Sequence, residues 1–210
     1  MTEGRGKFIT LEGLEGVGKT TNRQFVESLL DDADIDFIGT REPGGTALGE
    51  ALRELVLAAD GQMQDLTELL LMTASRVEHI ANVIEPALAA GQWVLCDRFL
   101  DASIAYQGAG RQLGVERVAD LHRLMDVTLE PDLTLLLDMP VATGLERMAA
   151  RGTPDRIERE AMAFFERARQ AYLQQAAMAP DRVLVVDAAR PLDAVQESVR
   201  QALLPLLEGA

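Results

Sequence analysis

The chain has 210 residues, 48% of them hydrophobic, and a formal net charge of −14, which is enough for one domain with a substantial core and too little for two ordinary ones. The acidic balance argues against nucleic acid as a partner, because counterion release from a polyanion needs Lys and Arg clustered over an extended face. A single cysteine, Cys96, excludes an intrachain disulfide and points to a reducing compartment, the cytoplasm.

Met1–Lys7 is polar and lacks the apolar core of a secretory signal. Lys7–Glu12 then reads as a short buried strand, Gly13–Gly18 as a glycine-rich turn, and Lys19–Leu30 as a helix with Phe25, Val26, Leu29 and Leu30 on its apolar face. A strand over Ile35–Thr40 and a helix over Ala47–Leu57 follow. Leu66–Ala90 carries apolar residues at helical spacing, with Pro86 kinking or restarting the helix near its end. Further strands are expected at Trp93–Asp97, Leu133–Asp138 and Val183–Asp187, and helices at Val115–Val127, Glu158–Ala177 and Leu192–Leu204. No apolar run approaches the roughly 20 residues that span a bilayer, so no membrane partner is expected. Strands alternating with helices signal a parallel sheet, here of five strands. The polar signatures after Glu12, after Thr40, at Asp97-Arg98 and after Asp138 all fall at strand C-termini, where such sheets bind their ligands.

Gly13-Leu14-Glu15-Gly16-Val17-Gly18-Lys19-Thr20 matches G-x-x-x-x-G-K-[ST] in full and lies between a strand and a helix. Glycines let the backbone fold around a phosphate so that N–H groups and the helix N-terminus point at the anion. In this motif Lys19 reaches the β- and γ-phosphates of ATP and the Thr20 hydroxyl ligates Mg²⁺. The motif leaves the acceptor open: water, a hydroxyl or a phosphate. Neither an Asn-Lys-x-Asp sequence nor an Asp-x-x-Gly switch is evident, which favours a kinase over a regulatory GTPase.

Thr40-Arg41-Glu42-Pro43-Gly44-Gly45 and Asp97-Arg98-Phe99, the latter followed by Asp101, Ser103, Tyr106, Gln107 and Gly108, join the glycine-rich loop in an ordered set. With Ala105–Gly108 and Pro131–Leu135, this set resembles the thymidylate kinase family from Phe8 to about Ala188. The resemblance implies a three-layer α/β/α kinase domain over 1–210 with a lid at about 147–158, acting on dTMP and Mg-ATP as a homodimer. It places Arg98 on the dTMP phosphate, Asp97 beside Mg²⁺, Glu15 toward the acceptor 3′-hydroxyl, and Glu42 and Arg53 on the substrate side. Asp97 is alternatively a helix N-cap and Arg53 an ordinary surface arginine. Arg76, Ser103 and Gln107 match positions that hydrogen-bond the thymine edge. Met72 departs from the pattern, standing where relatives place a stacking phenylalanine; it either covers the base or is simply core. Gly16 stands where one subclass carries a loop arginine, which implies that the lid arginines Arg151 and Arg156, near Arg147, supply the charge instead. The plainer reading of Arg156 is a surface network with Asp155, Glu158 and Glu160. His79 and His122 receive no role, and Trp93 and Cys96 read as core. The alternatives are another nucleotide or nucleoside kinase and a nucleotide-binding switch.

Overall fold

The computed structural model describes residues 4–58, 63–150 and 155–209. Strands β1 (Phe8–Glu12), β2 (Phe37–Arg41), β3 (Trp93–Asp97), β4 (Leu133–Asp138) and β5 (Val183–Asp187) pair in parallel in the order β2-β3-β1-β4-β5. Every residue of β1 is buried, as expected of a central parallel strand covered on both faces. Alternation along β1 and β3 divides the core. Ile9, Leu11 and Leu95 join one cluster with α1 (Lys19–Asp32), α8 (Met162–Met178) and α9 (Leu192–Leu207), whereas Phe8, Val94 and Cys96 pack with Ile84, Ala87, Leu88 and Phe99 in a second. The result is a three-layer α/β/α sandwich. Inside it, Thr10 on β1 and Thr134 on β4 share a hydrogen bond at 2.7 Å, satisfying two buried hydroxyls across the sheet.

The remaining helices are α2 (Ala47–Leu57), α3 (Asp65–His79), α4 (Glu85–Ala89), α5 (Leu100–Ser103), α6 (Val115–Leu124) and α7 (Val141–Ala149). The long helix expected over Leu66–Ala90 is α3 and α4 joined by a π turn, Ile80–Ile84. Pro86 lacks an N–H and crowds the carbonyl four residues back, and the widened turn accommodates both effects. The Glu158–Ala177 helix starts later, at Met162. Ahead of it the Asp155 carboxylate accepts the N–H groups of Ile157 and Glu158, a local turn that competes with helix. Helix α6 stops at Leu124, just before Asp126 takes φ 55°. Two segments escaped the periodicity reading: α5 with its π extension Ile104–Gly110, and α7. Among the described residues no helix is long and apolar enough to cross a membrane.

Candidate active site

The C-terminal ends of β1, β2 and β3 open into a cavity of about 220 Å³. The loop after β1 contributes Glu15–Thr20, the turn after β2 contributes Arg41, Glu42 and Pro43, and β3 delivers Asp97 and Arg98. Arg53 and Leu57 of α2, Met72 of α3, Ala102 of α5, Tyr106 and Gln107 of the second π segment, and Asp155, Ile157 and Glu158 complete the lining.

The glycine-rich loop is closed on itself. Lys19 Nζ donates to the carbonyls of Gly13 at 3.2 Å and Leu14 at 2.9 Å, so the ammonium sits over the ring where a phosphate would be cradled. Burial, reinforced by the charge of Arg98, lowers the Lys19 pKa. Helix α1 begins without a side-chain cap or an acid in its first turn, leaving its first N–H groups to an anion. Gly16 has φ 75°, and a Cβ there would lie 2.0 Å from the Gly144 carbonyl of α7. With α7 in this position, the contact leaves no room for a side chain at position 16.

Arg98 adopts the left-handed conformation, φ 73°, rare for a residue with a side chain. Its Nη1 donates to Gly13 O at 2.9 Å, its Nη2 pairs with Glu15, and its guanidinium lies 4.8 Å from the Tyr106 ring centre. Burial disfavours the charge, but the Glu15 carboxylate overcomes it and raises the Arg98 pKa well above the ordinary value. Asp97 is no N-cap: Phe99 holds that position of α5. Instead Asp97 Oδ1 is buried without a hydrogen-bond partner, on the same cavity as Thr20. Arg53 faces this cavity too, tethered by a 3.1 Å hydrogen bond from Nη1 to Pro43 O. Burial, then the charge of Arg41, lowers its pKa.

At the expected base end the structure separates residues that the sequence grouped. Met72 and Gln107 line the cavity. Arg76 and Ser103 do not: both are fully buried and bonded to each other at 2.9 Å. Arg76 also donates to Glu42 at 2.7 Å and to Phe99 O at 2.8 Å, and meets His122 Nε2 at 2.7 Å. Its guanidinium thus turns to Glu42, Ser103, His122 and Phe99 O and does not line the cavity. Both histidines belong to this network. His79 links Glu42, at 3.0 Å, to Thr40, at 2.7 Å. Burial, with the Arg76 charge, lowers the His122 pKa to about 4, so its neutral ring accepts from Arg76 and donates from Nδ1 to Val118 O at 2.8 Å.

Arg156 has partners of its own. It is absent from the cavity lining; Nε donates to Val56 O at 2.9 Å and Nη2 pairs with the buried Glu68, not with Asp155, Glu158 or Glu160. Arg151 lies outside the described residues, as do Gly152, Thr153 and Pro154.

The sequence model of the family described as thymidylate kinase matches residues 11–199. This chain belongs to the thymidylate kinase family. A thymidylate kinase of Pseudomonas entomophila (strain L48) is 56% identical over 201 residues, 95% of each chain. One of Methylococcus capsulatus (strain ATCC 33009 / NCIMB 11132 / Bath) is 53% identical over 204 residues, 97% of this chain and 98% of the relative. The crystal structure of thymidylate kinase from Ehrlichia chaffeensis superposes with a TM-score of 0.78 at 32% identity, covering 95% of this chain and 99% of that one.

Some residues around the thymidylate kinase site carried no signal in the sequence reading. Tyr172 of α8 donates to Glu12 at 2.6 Å and lies 3.4 Å from Arg98 Nη1, reaching the loop from a distant stretch of chain. Glu12, fully buried, also accepts from the Phe99 N–H at 2.7 Å. Burial, then the nearby charge of Asp101, raises its pKa to about 8. Glu68 could have been found: it is an acid on the same helical face as Leu69, Met72, Thr73 and Arg76, where an unpaired charge would be costly.

Proposed function

We propose that this thymidylate kinase transfers the γ-phosphoryl group of ATP in line to the 5′-phosphate of dTMP, giving dTDP and ADP. The observation that carries the reading is the meeting in one cavity of the Lys19 loop, the cations Arg98 and Arg53, and the base-sized wall of Met72 and Gln107. A phosphate monoester has a second pKa near ~6, so the acceptor is already a dianion at neutral pH and needs no strong base. The barrier is repulsion between two polyanions, which positive charge held in place relieves as charge shifts in the transition state. Lys19 and the loop N–H groups hold the donor phosphates, Arg98 and Arg53 hold the acceptor phosphate, and Glu15 fixes Arg98 while turning toward the acceptor sugar. Met72 covers one face of the base, and Gln107 reads its edge.

The donor set fits Mg²⁺. Asp97 Oδ1 is an unsatisfied buried acceptor and Thr20 lines the same cavity, a small set of oxygens of the kind that this cation combines with water and phosphate. When bound, it supplies neutralisation of the phosphate charge. Segment 147–158 acts as the lid, with 155–158 as its cavity-facing end.

The enzyme works in the cytoplasm, without nucleic acid, as a homodimer. Leu66, Leu70, Ala74, Val77 and Ala81 form an exposed stripe along α3 and its π turn, an apolar face suited to a second copy. ADP release with dTMP, dUMP, UMP, CMP and thymidine in parallel tests the function. The reading requires turnover that depends on dTMP; equal turnover without any acceptor, or phosphorylation of thymidine alone, overturns it.

A further inference from the structure

Glu68 is 1% exposed and stands behind the cavity wall. Its carboxylate collects donors from three side chains: Gln107 Nε2 at 2.8 Å, Arg111 Nε and Nη2 at 3.3 and 3.0 Å, and Arg156 Nη2. Gln107 lines the cavity, and its Oε1 is buried with no hydrogen-bond partner. We propose that Glu68 is the positioning residue for base selection: it fixes the orientation of the Gln107 amide and thereby favours a 2,4-dioxopyrimidine over a 4-aminopyrimidine.

The inference rests on the dTMP reading and follows from what each group can offer. An ionised carboxylate only accepts, whereas a primary amide has one accepting and one donating end. Turning the Gln107 amide by half a turn would set Oε1 against the Glu68 oxygens, two buried acceptors without a proton between them. Burial works against ionised Glu68, but the Gln107 hydrogen bond and the Arg111 charge prevail and lower its pKa. The amide is therefore held with Nε2 toward Glu68, and Oε1 remains as a pure acceptor. Thymine and uracil carry a hydrogen on ring N3 and can donate to it; cytosine has a bare N3 and cannot. The same carboxylate anchors Arg156, so base orientation and the 155–158 wall depend on one side chain.

The test compares kcat/KM for dTMP and dCMP in wild type, Glu68→Gln, Gln107→Met and the double variant. An amide at 68 accepts Gln107 either way round, so the dTMP to dCMP ratio should fall about tenfold or more in Glu68→Gln, the equivalent of one buried hydrogen bond. In the Gln107→Met background, the Glu68 substitution should move the ratio less than about twofold, because its effect runs through Gln107. Equal losses on both nucleotides in Glu68→Gln would reduce Glu68 to a structural residue and overturn the proposal. If urea melts show that Glu68→Gln does not fold, Glu68→Asp replaces it: the charge stays for the arginines while the carboxylate withdraws from Gln107. A ratio unchanged from wild type in Glu68→Asp then overturns the proposal. A wild type inactive on dTMP refutes the functional reading instead, whereas an active one with an unmoved ratio refutes the role of Glu68 alone.

Discussion

Arg98 and Glu15 form an ion pair at the rim of the phosphate loop, with Tyr106 donating to the same carboxylate at 3.1 Å. Opposite charges thus hold a strained backbone in place beside the anion site. Arg98→Lys keeps the charge and loses the planar fork, so kcat/KM for dTMP should fall by about 10² or more. The apparent affinity for an ATP analogue should change by less than about threefold. Steady-state kinetics with equilibrium nucleotide binding check this, and a variant of near-normal efficiency refutes the placement.

Met72 is 6% exposed and faces the cavity. A thioether covers a ring by dispersion but lacks a π-system. Met72→Phe should therefore leave the KM for dTMP unchanged or lower it. A large rise in KM would show that position 72 serves packing alone.

An arginine acting as a charge-stabilising finger is worth about 10³ to 10⁵ in rate. Arg156 is instead held by Glu68 and Val56 O. Arg156→Ala should accordingly raise the KM for dTMP by about fivefold through a loosened wall, with kcat falling less than about tenfold. A thousandfold loss of kcat would restore the finger role.

Arg76 is 0% exposed and shares its charge with a Glu42 carboxylate that is itself buried. Removing one partner of a buried pair costs about 3–5 kcal/mol, because the other charge is left without compensation. Arg76→Ala should lower the urea-derived unfolding free energy by that amount. An unchanged stability with a selective loss of dTMP affinity would return Arg76 to the base-binding residues.

Glu12 gives a pH signature. Its pKa rises from 4.5 to about 8 on folding, so between those values the folded state holds a proton that the unfolded state has lost. Stability from this group is complete below the lower value and declines as pH rises through the window. Glu12→Gln mimics the neutral form: its oxygen accepts from the Phe99 N–H, and its amide donates to the Tyr172 oxygen, reversing the bond that Tyr172 donates to Glu12. The Tm of the variant should therefore fall less between pH 5 and 8 than that of wild type. Parallel Tm profiles would refute the shifted titration.

Three strands were legible to the residue, at Trp93–Asp97, Leu133–Asp138 and Val183–Asp187, because short apolar runs ending in an acid leave little choice of boundary. The phosphate loop was legible because its glycines have fixed spacing. Arg76 and Arg156 were not: a motif position names a residue type, whereas the direction of a guanidinium depends on acceptors from other segments, here Glu42, Ser103 and His122 for one and Val56 and Glu68 for the other. Tyr172 and Glu12 meet across 160 positions of sequence, a separation no local pattern records.

Gly16 and Gly144 touch through backbone alone, and a Cβ on Gly144 would in turn lie 2.7 Å from Glu15 O. A Cβ at either position thus runs into the backbone facing it. An arginine at position 16 would therefore need α7 to move away from the loop. While α7 keeps this position, any further positive charge at the phosphates has to come from somewhere other than position 16 of the loop.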